Sequence, residues 1–189
     1  MSGSADGAPL DLSRVVIVGT SCAGKTTFAR DLAKRLNTAH VEQDALFWLP
    51  NWQERDRYDY LALITKQASE CAWVCDGNYD SSRDQLWSRA TTVIWLDYPF
   101  PLIFWRSLKR TVKHALFGGK VCGDNVDTLR RAFSRNSIPL WVITSFPERR
   151  RYYGGLFAEN AYPDARKIRL TSPAEAARFL QKLQKVRPT

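Results

Sequence analysis

Val15-Val16-Ile17-Val18-Gly19-Thr20-Ser21-Cys22-Ala23-Gly24-Lys25-Thr26-Thr27 decides how the rest of the chain is read. From Gly19 to Thr26 it fits G-x-x-x-x-G-K-[ST] without a mismatch. The four apolar residues before it read as a short buried strand. After it, Phe28, Ala29, Leu32, Ala33 and Leu36 fall at helical spacing. Strand, glycine loop and helix in that order are the context in which this motif cradles phosphate. Glycines let the backbone approach phosphate oxygens that a Cβ would hold off. Successive N–H groups and the positive end of the following helix then favour the anion. Lys25 is placed to reach the β and γ phosphates, and the Thr26 hydroxyl to ligate Mg²⁺. The whole loop from Gly19 to Thr27 is the expected ATP site.

Short apolar segments alternate with helical ones along the remainder, which predicts an α/β fold with a parallel sheet and right-handed crossovers. Strands are expected at 14–19, 39–42, 72–76, 92–97 and 166–170. A helix is expected around 54–70, with Tyr58, Leu61, Ala62, Ile64 and Ala68 on its buried side. Another is expected at 173–185, where Ser172, Pro173 and Glu175 form a capping-box start. The 189 residues suit one domain, 13–189, behind a flexible lead-in at 1–12. The lead-in lacks the basic and apolar regions of a signal peptide, and no apolar run is long enough for a membrane span. Cys22, Cys71, Cys75 and Cys122 have neither zinc spacing nor the pattern of a secreted disulfide framework. A reducing cytoplasm is the expected location.

Charge is uneven. Residues 1–82 carry 8 Lys/Arg against 11 Asp/Glu, a balance of −3. Residues 83–189 carry 20 against 8, a balance of +12, so the total is +9. A polyanionic partner follows, whether nucleotide, phosphorylated substrate or nucleic acid. On the helix near 101–117, Phe104, Trp105, Leu108, Val112 and Leu116 make an apolar side. Arg106, Lys109, Arg110 and Lys113 make a basic one. Arg106 and Arg110, four apart, share a face and suit a phosphate clamp, although a solvated basic face has the same pattern. Arg130, Arg131 and Arg135 form a second cluster and Arg149-Arg150-Arg151 a third. The glycine-punctuated stretch 118–125, within a segment of about 117–137, is the candidate lid.

Two predicted strands end in a carboxylate, Asp76 before Gly77-Asn78-Tyr79 and Asp97 before Tyr98-Pro99. Such a carboxylate beside a phosphate loop holds Mg²⁺, and Asp76 is the favoured candidate with Thr26. Asp44 follows the second predicted strand, on the edge where α/β sheets bind ligands. It suits an acceptor-orienting base, and equally a helix N-cap. Phe47, Trp48 and Trp52 beside it suit stacking on an aromatic acceptor or plain packing. His40 reads as structural. No [NT]-K-x-D sequence marks a GTPase, and no serine-glycine signature marks a transport ATPase.

In combination, the loop GTSCAGKTT, DALFW, W-V-x-D-G-N-Y, VIWLDYP and R-x-x-x-R at Arg106 and Arg110 resemble the adenylate-kinase-like P-loop kinases. Within these the order of motifs, with the closing I-R-L-T-S-P-A-E-A-A-R-F-L, is similar to the DNA topology modulation (FlaR-related) proteins. The resemblance spans about residues 14–183. It implies a P-loop NTPase fold whose five parallel strands lie in the order 2-3-1-4-5, flanked by helices, with a small lid. It also implies ATP, Mg²⁺ and a small acceptor. The family's D-G-x-P-R is met only in Asp76-Gly77, so the acceptor need not be a nucleoside monophosphate, although Arg83 lies near enough to replace the missing arginine. Ser172-Pro173 falls where such kinases bring backbone near the adenine. The expected function is an ATP- and Mg²⁺-dependent phosphotransferase using Lys25, Asp44, Arg106 and Arg110. The alternative is a nucleic-acid-binding P-loop ATPase that influences DNA topology, although no helix-turn-helix, zinc module or RNP motif accompanies it.

Overall fold

The computed structural model describes residues 9–117, 137–159 and 161–184. The candidate lid, the cluster Arg130, Arg131 and Arg135, and Cys122 lie outside them.

Five strands form one parallel sheet: β1 (Arg14–Gly19), β2 (Ala39–Glu42), β3 (Trp73–Asp76), β4 (Thr92–Leu96) and β5 (Arg166–Leu170). Their order is 2-3-1-4-5, as the resemblance implies. Both faces of the sheet are covered, so β1 and β4 read as unbroken apolar runs rather than alternating ones. Alternation survives in where each side chain goes. Val15, Ile17, Ile94 and Leu96 enter one core layer, while Val16, Val18, Val93 and Trp95 enter the other.

The helices are α1 (Lys25–Leu36), α2 (Gln43–Phe47), α3 (Arg57–Ser69), α4 (Arg83–Trp87), α5 (Phe100–Phe117), α6 (Ile138–Ala158) and α7 (Pro173–Gln184). Residues of α1 and α7 fill the first layer, and residues of α3 and α4 the second. A two-by-two antiparallel hairpin, Trp48–Leu49 with Gln53–Glu54, leads into α3. Asp56 caps α3 by accepting from the N–H groups of Tyr58 and Asp59. At α7, Ser172 Oγ accepts from Glu175 N at 3.2 Å. The Glu175 carboxylate reaches back to Thr171 N at 2.7 Å. The cap is therefore a capping box displaced by one residue.

Two helix faces differ from expectation. In α3 the buried residues are Tyr60, Ile64 and Ala68, while Tyr58 is 83% exposed and Ala62 also faces solvent. The physical reason is Tyr60, whose ring belongs to the core and whose hydroxyl meets buried partners there. In α5 the buried positions are Ile103 and Ser107, and Trp105, Val112 and Leu116 of the predicted apolar side are exposed. Ser107 can be buried because its hydroxyl donates to Phe104 O within the helix, at 2.7 Å.

α6 changes layers along its length. Val142 and Phe146 lie in the first layer and Tyr153 in the second, with Pro147 between them. Its arginines meet residues just beyond strand ends, Arg149 at Asn78 and Arg150 at Asp97. α6 thus passes over the C-terminal edge of the sheet, where β1 delivers the glycine loop.

Candidate active site

Two glycines of the loop adopt conformations that demand glycine. Gly19 has φ +148°, and a Cβ there would sit 2.7 Å from Leu96 O. Gly24 has φ +91° and precedes the first turn of α1, where Phe28 N donates to Gly24 O. Between them Ala23 N donates to Thr20 O, closing a tight turn, with Cys22 in the left-handed region at φ 65°. Burial raises the Cys22 thiol pKa against the pull of Arg110 and Lys25, which suits a loop filler rather than a thiolate. The Lys25 ammonium is pushed below the usual lysine range by burial, with Asp44 and Asp76 opposing the shift. Arg106 crosses from α5 to donate to Ala23 O at 3.0 Å, with its guanidinium over the Tyr98 ring.

Of the two strand-end carboxylates, Asp76 is the one at the loop. Thr26 Oγ1 donates to Asp76 Oδ2 at 2.8 Å, and His40 Nε2 lies 2.7 Å from Oδ1. His40 therefore helps hold the carboxylate. Asp97 is occupied elsewhere, by Arg150 and Arg169. Mg²⁺ takes few protein oxygens and keeps several waters, so a hydroxyl and a carboxylate side by side under a phosphate loop fit it. Among the described residues no group of three or more His, Cys, Asp or Glu forms a fuller metal cage. Glu42 nearby has its pKa raised by burial and by the charges of Asp76 and Asp44.

Asp44 lies in the first turn of α2, whose N-cap is Glu42, so the N-cap alternative does not hold. Tyr79 OH donates to Asp44 Oδ1 at 2.7 Å. Phe47 packs against Trp48, Tyr60 and Tyr79, and Trp48 makes an edge contact with Trp52. These three aromatics thus pack on the protein itself. Arg83 pairs with Asp80 and lies over the Tyr152 ring.

One cavity of about 320 Å³ is lined by Ser21, Cys22, Gly24, Lys25, Thr26, Thr27, Asp44, Arg106 and Arg110. Residues from β1's loop, α2 and α5, far apart in sequence, meet there.

Several neighbours of this cleft carry no sequence motif. Asn78 is the foremost. Its Nδ2 donates to Gly19 O at 2.6 Å, and its Oδ1 accepts from Tyr153 OH at 3.0 Å and from Gly19 N at 3.4 Å. Its carbonyl accepts from Arg149 Nη1 at 3.3 Å. One side chain thereby ties the first loop glycine to α6. Beneath, Gln43 Oε1 accepts from Tyr60 OH and Ser82 Oγ at 2.9 and 2.8 Å, in a fully buried triad. The only advance signal was that Asn78 follows Asp76-Gly77. The triad gave none, since polar residues on a helix face normally point to water.

The sheet order, the glycine loop and the flanking helices define a P-loop kinase architecture. Solved structures agree. A shikimate kinase from Acinetobacter baumannii in complex with shikimate matches at TM-score 0.53 and 18% identity, over 94% of this chain and 93% of that one. A shikimate kinase from Bacteroides thetaiotaomicron matches at TM-score 0.55 and 13% identity, over 92% and 97%. A sugar kinase from Janibacter sp. HTCC2649 matches at TM-score 0.52 and 18% identity, over 94% and 97%. At these identities the likeness is one of fold. No family model matches the chain, and no curated protein does. This overturns the resemblance to the DNA topology modulation (FlaR-related) proteins, because the matching structures are shikimate and sugar kinases. The physical reason is that the motifs behind it are strand-end features. Asp76-Gly77, for instance, reflects a carboxylate meeting Thr26 and a φ of +147°, geometry that belongs to the fold.

Proposed function

We propose that this chain is an ATP- and Mg²⁺-dependent phosphotransferase acting on a small-molecule acceptor. The observation that carries the proposal is the shared cleft, in which Lys25, Asp44, Arg106 and Arg110 line one cavity around the glycine loop. Loop amides and Lys25 hold the β and γ phosphates. Thr26 and Asp76 hold Mg²⁺, which when bound neutralises charge on the phosphate oxygens. Asp44, oriented by Tyr79, takes the proton from an acceptor hydroxyl whose oxygen attacks the γ phosphorus, as the bond from that phosphorus to the β–γ bridging oxygen breaks and ADP leaves. Arg106 and Arg110 neutralise the charge that develops on the transferring group. A desolvated Lys25 favours the reading, since its ammonium gains most when an anion arrives. Relatives in fold are named as kinases of shikimate and of sugars, which supports the same class.

The test is nucleotide-coupled ADP release across a panel of hydroxy acids, sugars and nucleosides. Lys25→Ala is expected to abolish acceptor-stimulated turnover with the circular dichroism spectrum unchanged. Asp44→Asn should lower kcat by about 10²–10⁴ while nucleotide still binds. ATP binding without stimulation by any acceptor would sink the proposal, as would full activity in Lys25→Ala.

A further inference from the structure

A second cavity shares no residue with the cleft. Its volume is about 470 Å³, and Trp95, Phe146, Pro147, Arg150, Arg151 and Arg169 line it. Its charge is organised from below. Asp97, 5% exposed at the end of β4, accepts from Arg169 Nε at 2.9 Å through Oδ2. Its Oδ1 lies 3.1 Å from Arg150 Nε. Both arginine side chains stay about half exposed. A guanidinium has five N–H donors, so each retains donors that Asp97 cannot use. Arg169 is further fixed by lying 4.8 Å over the Trp95 ring. Arg151 is exposed on the rim. Three guanidiniums against one carboxylate leave the groove a formal charge of +2.

We infer that this groove binds a small organic anion, a phosphomonoester with a flat apolar body. Arg150, Arg151 and Arg169 take the phosphate, and Pro147 takes the body, with the little of Trp95 and Phe146 that is open, 3% and 7% exposed. The pairing with Asp97 holds two of the arginines in place before the ligand arrives, which lowers the ordering cost of binding. Guanidiniums meet phosphate oxygens in bidentate fashion, so the chemistry matches. The groove accounts for two features that the phosphate cleft leaves unused, Asp97 and the latter two members of the Arg149-Arg150-Arg151 run. Arg149 turns the other way, to Asn78.

Calorimetric titration with phenyl phosphate tests this, on full-length protein whose loop is saturated with a non-hydrolysable ATP analogue and Mg²⁺. Binding at one site per chain is expected. Arg151→Ala should weaken it roughly tenfold, the usual worth of one charged hydrogen bond. Gly154 also lines the groove, and a Cβ there would meet nothing within 4 Å. Gly154→Phe should therefore fill the groove and abolish binding with the fold intact. Phenol should not bind, and inorganic phosphate should bind more weakly. Binding unchanged in both variants would overturn the proposal. So would inorganic phosphate binding as tightly as phenyl phosphate. So would duplex DNA binding that depends on Arg151 while phenyl phosphate fails to bind. Because no residue is shared with the cleft, none of these results depends on whether the chain transfers phosphate.

Discussion

Gly77→Ala is expected to cost roughly 2–6 kcal/mol of stability and to damage the cleft as well. Gly77 has φ +147°, and an added Cβ would lie 2.6 Å from Gln43 Cβ and 2.8 Å from Gln43 Cδ and Nε2. Contacts that short do not survive, so Gln43 must move. Gln43 is 2% exposed, and its Oε1 accepts from both Tyr60 OH and Ser82 Oγ. Those two hydroxyls lie 3.0 Å apart and can bond to one another once Gln43 leaves. Ser82 Oγ can in turn donate to Tyr79 O at 3.2 Å, so the group left without partners is the buried Gln43 amide oxygen, a loss of about 1–3 kcal/mol. The backbone strain of a side chain at this φ adds about 1–3 kcal/mol. Function should fall too, because Gly77 follows Asp76 and Gln43 precedes Asp44. Urea unfolding followed by circular dichroism measures the stability, with an unchanged m-value showing that the folded state keeps its compactness. Gln43→Gly should remove much of the added cost in the double variant, since it deletes the atoms that clash. A loss under about 1 kcal/mol, or strict additivity with Gln43→Gly, would refute the reasoning.

The remaining predictions concern the Asn78 link and alkaline pH. Asn78→Asp replaces the amide that donates to Gly19 O at 2.6 Å with a carboxylate oxygen facing a carbonyl. Nucleotide affinity should drop by roughly tenfold or more in fluorescence titration, and a Kd within about twofold of wild type would contradict the link. Burial raises the pKa values of the Cys75 thiol and the Tyr60 phenol, and pushes the Tyr153 phenol up to about 12. Each is thus held neutral in the folded state and ionises more readily in the unfolded one. The stability they contribute is complete below their unfolded pKa values of about 8.5 for Cys and 10 for Tyr, and is lost as pH rises towards the folded values. Urea midpoints should hold at pH 7–8 and decline from about pH 9, with Tyr153→Phe flattening the portion between about pH 10 and 12. A midpoint that stays constant up to pH 11 would contradict this.

Local pattern made much of the fold legible. β1, β2 and β5 fall where predicted, and β3 and β4 are each one residue shorter. Apolar runs bounded by turns identify strands that are buried on both faces whatever their neighbours. The glycine motif was equally legible, because its requirement is written in adjacent residues. Helix orientation was harder. The α3 periodicity puts Tyr58 inside, yet Tyr60 is the buried tyrosine. On α5 the exposed Trp105 and Val112 obey a helical period without being core. Periodicity states which residues share a face, and only the packed neighbours state which way the face turns. Short motifs likewise suggested a family that the comparisons do not support, because strand-end carboxylates and glycines belong to the fold as a whole.

By itself, then, the sequence determined a phosphate loop between a strand and a helix, the strands of an α/β sheet, and a basic second half. These rest on residues near each other in the chain, where steric and hydrogen-bonding demands act within one turn or one strand. The loop context already favoured Asp76 over Asp97, and tertiary structure supplied the contacts that set the two apart. Both end a buried strand before a turn, but only Asp76 meets Thr26, while Asp97 is held by Arg150 and Arg169. It also brought Asp44 and Arg106 to the cleft around Lys25, and tied Asn78 to Gly19 and Tyr153. Those pairings join residues 19 to 81 positions apart. Strand order and the path of α6 over the sheet edge set them, and neither leaves a local imprint on the chain.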